Sequence, residues 1–163
     1  MRRAPVYAAV LALAAASPVT AALPAQGTLV PGRSLGGVHL GEPAAQVQAA
    51  LGVHGVCHSC AHTTWYFTYK PFDRHGLGVE LTRGRVSGVY TLWQPDGWTA
   101  PRGLVLGAFE AQVSQSQGTL VPTTCTGYQA LVRDSATART VFYLLGGKLW
   151  GFGLFAAGDS PCR

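Results

Sequence analysis

The sequence predicts an α+β fold: two tandem α-β-β-β repeats joined into one antiparallel sheet, with two short helices packed on one face. Three observations lead there. Gly37-Val-His-Leu-Gly-Glu-Pro-Ala-Ala-Gln-Val-Gln-Ala-Ala-Leu-Gly52 returns as Gly103-Leu-Val-Leu-Gly-Ala-Phe-Glu-Ala-Gln-Val-Ser-Gln-Ser-Gln-Gly118, with seven of sixteen aligned positions identical. Further on, Leu81-Thr-Arg-Gly-Arg-Val-Ser-Gly-Val89 lines up with Leu144-Leu-Gly-Gly-Lys-Leu-Trp-Gly-Phe152, the offset having moved from 66 to 63 residues. A match that survives such a shift reads as a repeated structural unit, not as biased composition. Within each unit the apolar residues first recur at helical spacing and then alternate, so a helix precedes strands.

The first helix is expected over Pro43–Leu51, with Ala44, Val47 and Leu51 on one stripe and Gly52 placed for a C-terminal cap. Three strands follow. Trp65-Tyr-Phe-Thr-Tyr69 sets Trp65, Phe67 and Tyr69 on one face and Tyr66 on the other. Leu77-Gly-Val-Glu-Leu81 follows the polar loop 70–76, and Arg83-Gly84 turns into Arg85–Trp93. Spacing within Val86/Val89, and again within Leu149/Phe152, breaks alternation and predicts a β-bulge in both units. Gln94-Pro-Asp-Gly97 has the composition of a type I turn and closes the unit. The second unit repeats this as helix Phe109–Gln117 and strands at 128–133, 140–145 and 148–155. Gln117 stands where the first unit has Leu51, and Phe109 is expected to restore the lost apolar area against Val113.

Ahead of the units come Arg2 and Arg3, an apolar run from Val6 to Ala16, and Thr20-Ala21-Ala22, the pattern of a secretory signal peptide. The organisation is then signal peptide 1–22, extended lead-in 23–33, first unit 34–98 and second unit 99–163, the mature chain being one compact, monomeric domain. Without Arg2 and Arg3 the chain carries ten Lys and Arg against seven Asp and Glu, scattered without a basic run. That excludes an obvious nucleic-acid groove or anionic-membrane patch. Asn and Ile are absent, and Arg outnumbers Lys ten to two, the skew of a GC-rich bacterial genome.

Four cysteines, Cys57, Cys60, Cys125 and Cys162, in an exported chain read first as two disulfides. The repeat favours pairing within units, Cys57 with Cys60 and Cys125 with Cys162. The first pair lies in Cys57-His58-Ser59-Cys60-Ala61-His62, with His54 close by. A thiolate and imidazole cluster of this density is also a candidate zinc or copper site. Redox catalysis is a third reading, weakened because the pair follows a helix instead of opening one. Gly32-Arg33-Ser34-Leu35-Gly36 fits the nucleophile-elbow spacing, but an extended segment follows Ser34 where that motif needs a helix.

The tandem layout is similar to the β-lactamase inhibitory protein family, which repeats a helix-plus-antiparallel-sheet unit with one disulfide each. The Leu40-Gly41…Val47…Leu51-Gly52 pattern also resembles the SmpA/OmlA outer-membrane-assembly lipoprotein module. With Thr64-Trp-Tyr-Phe and Thr91-Leu-Trp-Gln-Pro, residues 34–163 resemble uncharacterised secreted bacterial proteins. The resemblance implies a fold and transfers no inhibitory residue.

The functional expectation is a secreted, non-catalytic protein that binds a secreted or envelope protein and needs no cofactor. With both helices on one face of the sheet, alternation puts Val79, Leu81, Phe142 and Leu144 on the helix side. Tyr66, Glu80 and Tyr143 then lie on the opposite face, expected to be open, with Tyr90 made uncertain by the bulge. Trp93 and Trp98 bracket the turn between units, where they either line that face or plug the joint. Tyrosine and tryptophan beside scattered charge is the composition of interface hot spots. The alternative function is an exported metal-binding protein using residues 57–62.

Overall fold

A computed structural model of the chain describes residues 27–68, 76–92 and 97–163. The expected signal peptide, residues 23–26 of the lead-in, most of the 70–76 loop, Tyr69, Trp93 and the first three residues of the turn at 94–97 lie outside the described residues.

Helix α1 (Ala44–Leu51) starts directly after Pro43, which supplies an extended entry and has no N–H to leave unpaired. Val47 and Leu51 are buried and Ala44 packs against them, so the expected stripe faces the core. Helix α2 (Glu110–Gln117) starts after Phe109, whose N–H donates to the Gln112 side-chain oxygen at 2.9 Å. Here the sequence expectation fails. Phe109 is 60% exposed and lies under the Lys148 ammonium, 5.3 Å from ring centroid to nitrogen. Gln117 itself is buried, its amide donating to the Pro101 carbonyl at 3.0 Å. A satisfied polar group therefore sits where the first half buries a leucine, and no replacement apolar area is needed.

Each helix leads into four strands, not three. The first half has β4 (Gly55–Cys57), β5 (Thr63–Thr68), β6 (Gly76–Thr82) and β7 (Arg85–Leu92). The second has β10 (Val121–Cys125), β11 (Tyr128–Asp134), β12 (Ala138–Leu145) and β13 (Lys148–Ala156). They form one antiparallel sheet in the order β10-β11-β12-β13-β7-β6-β5-β4. The strands the sequence analysis missed, β4 and β10, are the two edges. One is three residues long and the other contains Pro122, and both features are tolerated only where a ladder has an open side.

Three residue pairs, Gly153↔Tyr90, Leu154↔Val89 and Phe155↔Gly88, join the halves at the centre. There the Phe152 N–H donates to Thr91 Oγ1 at 3.0 Å, a side chain extending the ladder. Both expected bulges are present, Ser87 being the extra residue between Val86 and Gly88, and Trp150 the extra residue between Leu149 and Gly151. Backbone bonds recur at corresponding places in the two halves. Ala44 N–H reaches Gly84 O (3.0 Å) and Glu110 N–H reaches Gly147 O (3.1 Å). Val86 N–H reaches Glu42 O (2.9 Å) and Leu149 N–H reaches Ala108 O (2.7 Å).

The turns behind those bonds differ in one respect. Gly146 and Gly147 both have positive φ at no steric cost, whereas Arg83 at φ 52 holds a side chain in the left-handed region. Arg83→Asn, which creates the Asn-Gly pair that two-residue hairpins prefer, should stabilise the protein by about 0.5–1 kcal/mol. The check is a higher urea midpoint at unchanged slope.

Before α1, strands β1 (Leu29–Val30), β2 (Ser34–Leu35) and β3 (Val38–His39) make a small antiparallel sheet. Ser34 lies in this sheet, buried and followed by Gly36-Gly37 and β3, so the strand-to-helix elbow of a serine nucleophile is absent there. Between the halves, β8 (Thr99–Ala100) pairs with β9 (Leu104–Val105). The main core lies between these short elements, the helices and one face of the sheet, and includes Val47, Val113, Leu77, Val79, Phe142, Leu149 and Phe152. Trp98, 1% exposed, plugs the joint in a slot bounded by Gly27, Gly36 and Leu77. A Cβ at Gly27 or Gly36 would stand 2.6–2.7 Å from the indole, so only glycine admits it.

Candidate functional site

The opposite face of the sheet has a second, smaller core, built from Tyr90, Ala130, Val132, Val141, Tyr143 and Phe155. It corrects the expectation of an open face. Residues after β13 fold back across the sheet, and Cys162 is bonded there to Cys125 at the end of β10. The other disulfide joins Cys57, at the end of β4, to Cys60 in the following loop. Both bonds thus fasten the end of an edge strand. No cysteine among the described residues is free.

Several contacts besides the disulfide seat the strap formed by residues 157–163, among them a bond from the Arg139 guanidinium to the Asp159 carbonyl. The Tyr143 hydroxyl donates to the Pro161 carbonyl at 2.9 Å, and the Arg163 N–H donates to the Tyr128 hydroxyl at 2.6 Å. The Arg163 guanidinium lies over the Phe155 ring, 4.3 Å from its centroid. It also grips Glu80 from two sides, through Nε with Oε1 and through Nη2 with Oε2, the latter at 2.8 Å. Glu80 is 3% exposed and the Arg163 side chain 16%, so a buried carboxylate is paired with a partly exposed cation. Gly88 makes the room: a Cβ there would stand 2.5 Å from Phe155 and 3.0 Å from Glu80 Oε2.

The strap does not fill the face. A hollow of about 430 Å³ remains on one side of Arg163, lined by Cys60, His62, Thr64, Tyr66, Tyr90 and Ser160 among others. A second of about 330 Å³ is lined by Tyr66, Tyr90, Leu92, Tyr128, Trp150 and Arg163 among others. The two share Tyr66, Tyr90 and Arg163, which makes them lobes of one surface.

Burial raises the Tyr90 hydroxyl far above the ordinary tyrosine range, and its neighbour Tyr66 pushes the same way. Burial likewise raises Tyr143. Both phenols therefore stay neutral and are available as hydrogen-bonding groups.

Of the residues singled out from the sequence, Tyr66 and Tyr90 line both lobes, and the bulge leaves Tyr90 on this face. Glu80 and Tyr143 lie on it but are covered, being 3% exposed each, and Trp98 is in the main core. Trp93 is outside the described residues. Sequence reasoning missed Tyr128, Trp150 and Arg163. Trp150 had a signal, because it is the bulge residue aligned with Ser87. Arg163 had none, since no periodicity governs a strap.

In the Cys57–His62 segment the sulfurs are joined to each other, and His54 stacks on Trp65 with centroids 3.9 Å apart. No group of three or more His, Cys, Asp or Glu side chains among the described residues is placed to hold a metal ion. No described helix is long and apolar enough to cross a membrane.

The sequence matches no family model and no curated protein. Among solved structures, the chain is similar to a DUF4309-family protein, YjgB, from Bacillus subtilis. The TM-score is 0.53 at 16% identity, covering 74% of this chain and 82% of that one. A cysteine-rich secretory protein from Staphylococcus aureus aligns with a TM-score of 0.45 at 13% identity, over 72% of this chain and 44% of that one. At such identities the likeness to YjgB concerns the fold alone.

Proposed function

We propose that this chain is an exported, non-catalytic binding protein that takes a secreted or envelope protein on the strapped face of its sheet. The observation that carries the reading is the two-lobed hollow around Arg163, with Tyr66 and Tyr90 common to both lobes. Such a surface offers aromatic area with few rotamers to freeze, neutral hydroxyls and one cation, the mixture on which interface hot spots draw. Export is supported by the Arg2-Arg3, Val6–Ala16 and Thr20–Ala22 pattern and by two disulfides. The tandem layout, similar to that of the β-lactamase inhibitory protein family, supports binding over catalysis by analogy.

Tyr143 is the wrong residue to probe, because it anchors the strap. Tyr66→Ala combined with Trp150→Ala removes aromatic area from the two lobes and leaves the Glu80–Arg163 pair intact. The double variant should keep its fold by circular dichroism and lose at least about tenfold in affinity for a partner isolated with the wild type from the producing cell's envelope or medium. A folded double variant that binds this partner undiminished would overturn the proposal. The metal reading needs thiolates that the Cys57–Cys60 bond consumes, and a thiol count beside elemental analysis of the purified protein tests it directly.

A further inference from the structure

A larger hollow, of about 550 Å³, opens elsewhere, where the β1–β3 segment meets the β6–β7 hairpin and the ends of β12 and β13. Its lining includes Arg33, His39, Arg85, Ser87 and Thr137, and no acidic residue. In a chain whose charges are otherwise scattered, two guanidinium groups and an imidazole share one concavity. Each sits on an anchored stretch of chain. The loop carrying Arg33 is pinned where the Gly32 N–H donates to the buried Thr140 hydroxyl at 2.9 Å. Arg85 opens β7 and fixes one edge of its guanidinium by donating to the Gly41 carbonyl at 2.9 Å. Among the described residues, neither the Arg33 side chain nor the His39 ring has a hydrogen-bond or ion-pair partner. Glu42 follows shortly after His39, but its carboxylate accepts the His39 backbone N–H at 3.0 Å.

The other half of the molecule shows what the fold itself asks of this turn. Pro43 bridges to Arg85 as Phe109 bridges to Lys148, so Arg85 and Lys148 are counterparts. Lys148 places its ammonium over the Phe109 ring, an internal contact. Arg85 instead lines the hollow, as Arg33 does. Bringing like charges together costs free energy that an anion between them relieves.

We infer that this hollow is a binding site for a small oxyanion, a phosphate- or carboxylate-bearing ligand. Arg33 and Arg85 supply the charged forks, which suit the paired oxygens of either group. Thr137, exposed at the rim, supplies a neutral donor, while the Ser87 hydroxyl is already spent on the Glu80 carbonyl. The site does not depend on the strapped face.

The test is a 1H–15N titration of the mature protein at low, constant ionic strength, with sodium pyrophosphate in one series and sodium citrate in another. At least one probe should give saturable shifts at the amides of Gly32, Gly41 and Ser87, with a Kd below about 1 mM, and the tighter probe identifies the ligand class. Arg33→Gln/Arg85→Gln should weaken binding at least about tenfold with the spectrum otherwise retained. Arg102→Gln/Lys148→Gln, which removes the same charge elsewhere, should change it less than about twofold. Absence of saturation with both probes, or equal losses in the two double variants, would overturn the inference.

Discussion

Val47→Asp should bring the protein close to unfolding while Gln48→Asp leaves it folded. Val47 is fully buried on the inner face of α1, among Leu51 and the apolar residues of the sheet. An aspartate there either buries a charge without a partner or is protonated and leaves polar oxygens unpaired, and it also opens a void. The combined cost should be at least about 4 kcal/mol, a large share of the 5–15 kcal/mol that holds a domain of this size. Gln48 is exposed on the same helix, so an aspartate there is solvated and costs only about 0.5 kcal/mol of helix propensity. The measurement is the urea midpoint of both variants. Equal midpoints would mean that α1 does not contribute to the core.

Arg163→Met should destabilise the protein by about 3–5 kcal/mol, because Glu80 then remains buried with its cation gone. Glu80→Met/Arg163→Met should recover more than half of that loss. A buried ion pair contributes little over apolar packing of similar volume, and only its half-removal is severe. The four members of the double-mutant cycle, compared by denaturation, give the coupling directly. A coupling below about 0.5 kcal/mol would show that Arg163 does not hold Glu80 in solution. The result bears on function as well, since Arg163 lies between the two lobes and sets the shape of the proposed binding surface.

The elements most legible in the sequence are those ruled by local periodicity. Helix α1, the inward face of β6 and both bulges could be read directly, because burial on one side of a regular element imposes a period on the residues. The edge strands were not legible. Gly55–Cys57 is too short to show alternation, and Pro122 argues against a strand unless that strand lies at an edge. Which strand is an edge is a property of the assembled sheet.

The candidate site divides the same way. Alternation alone put Tyr66, Glu80 and Tyr143 on the face away from the helices, and it left Trp98 with two possible places. Tertiary structure decided the rest: Trp98 enters the joint because Gly27 and Gly36 leave a slot for it, and Tyr90 joins the strapped face past the bulge. It also decided that the face is covered. The strap has no period of its own, and its position comes from contacts with residues far away in the chain: a disulfide to Cys125, hydrogen bonds to Tyr128 and Tyr143, and an ion pair with Glu80. The sequence by itself determined the helix and strand faces, because a repeating backbone writes its period into neighbouring residues. Only the tertiary structure determined what crosses those faces, because contacts between residues far apart in sequence leave no period to read.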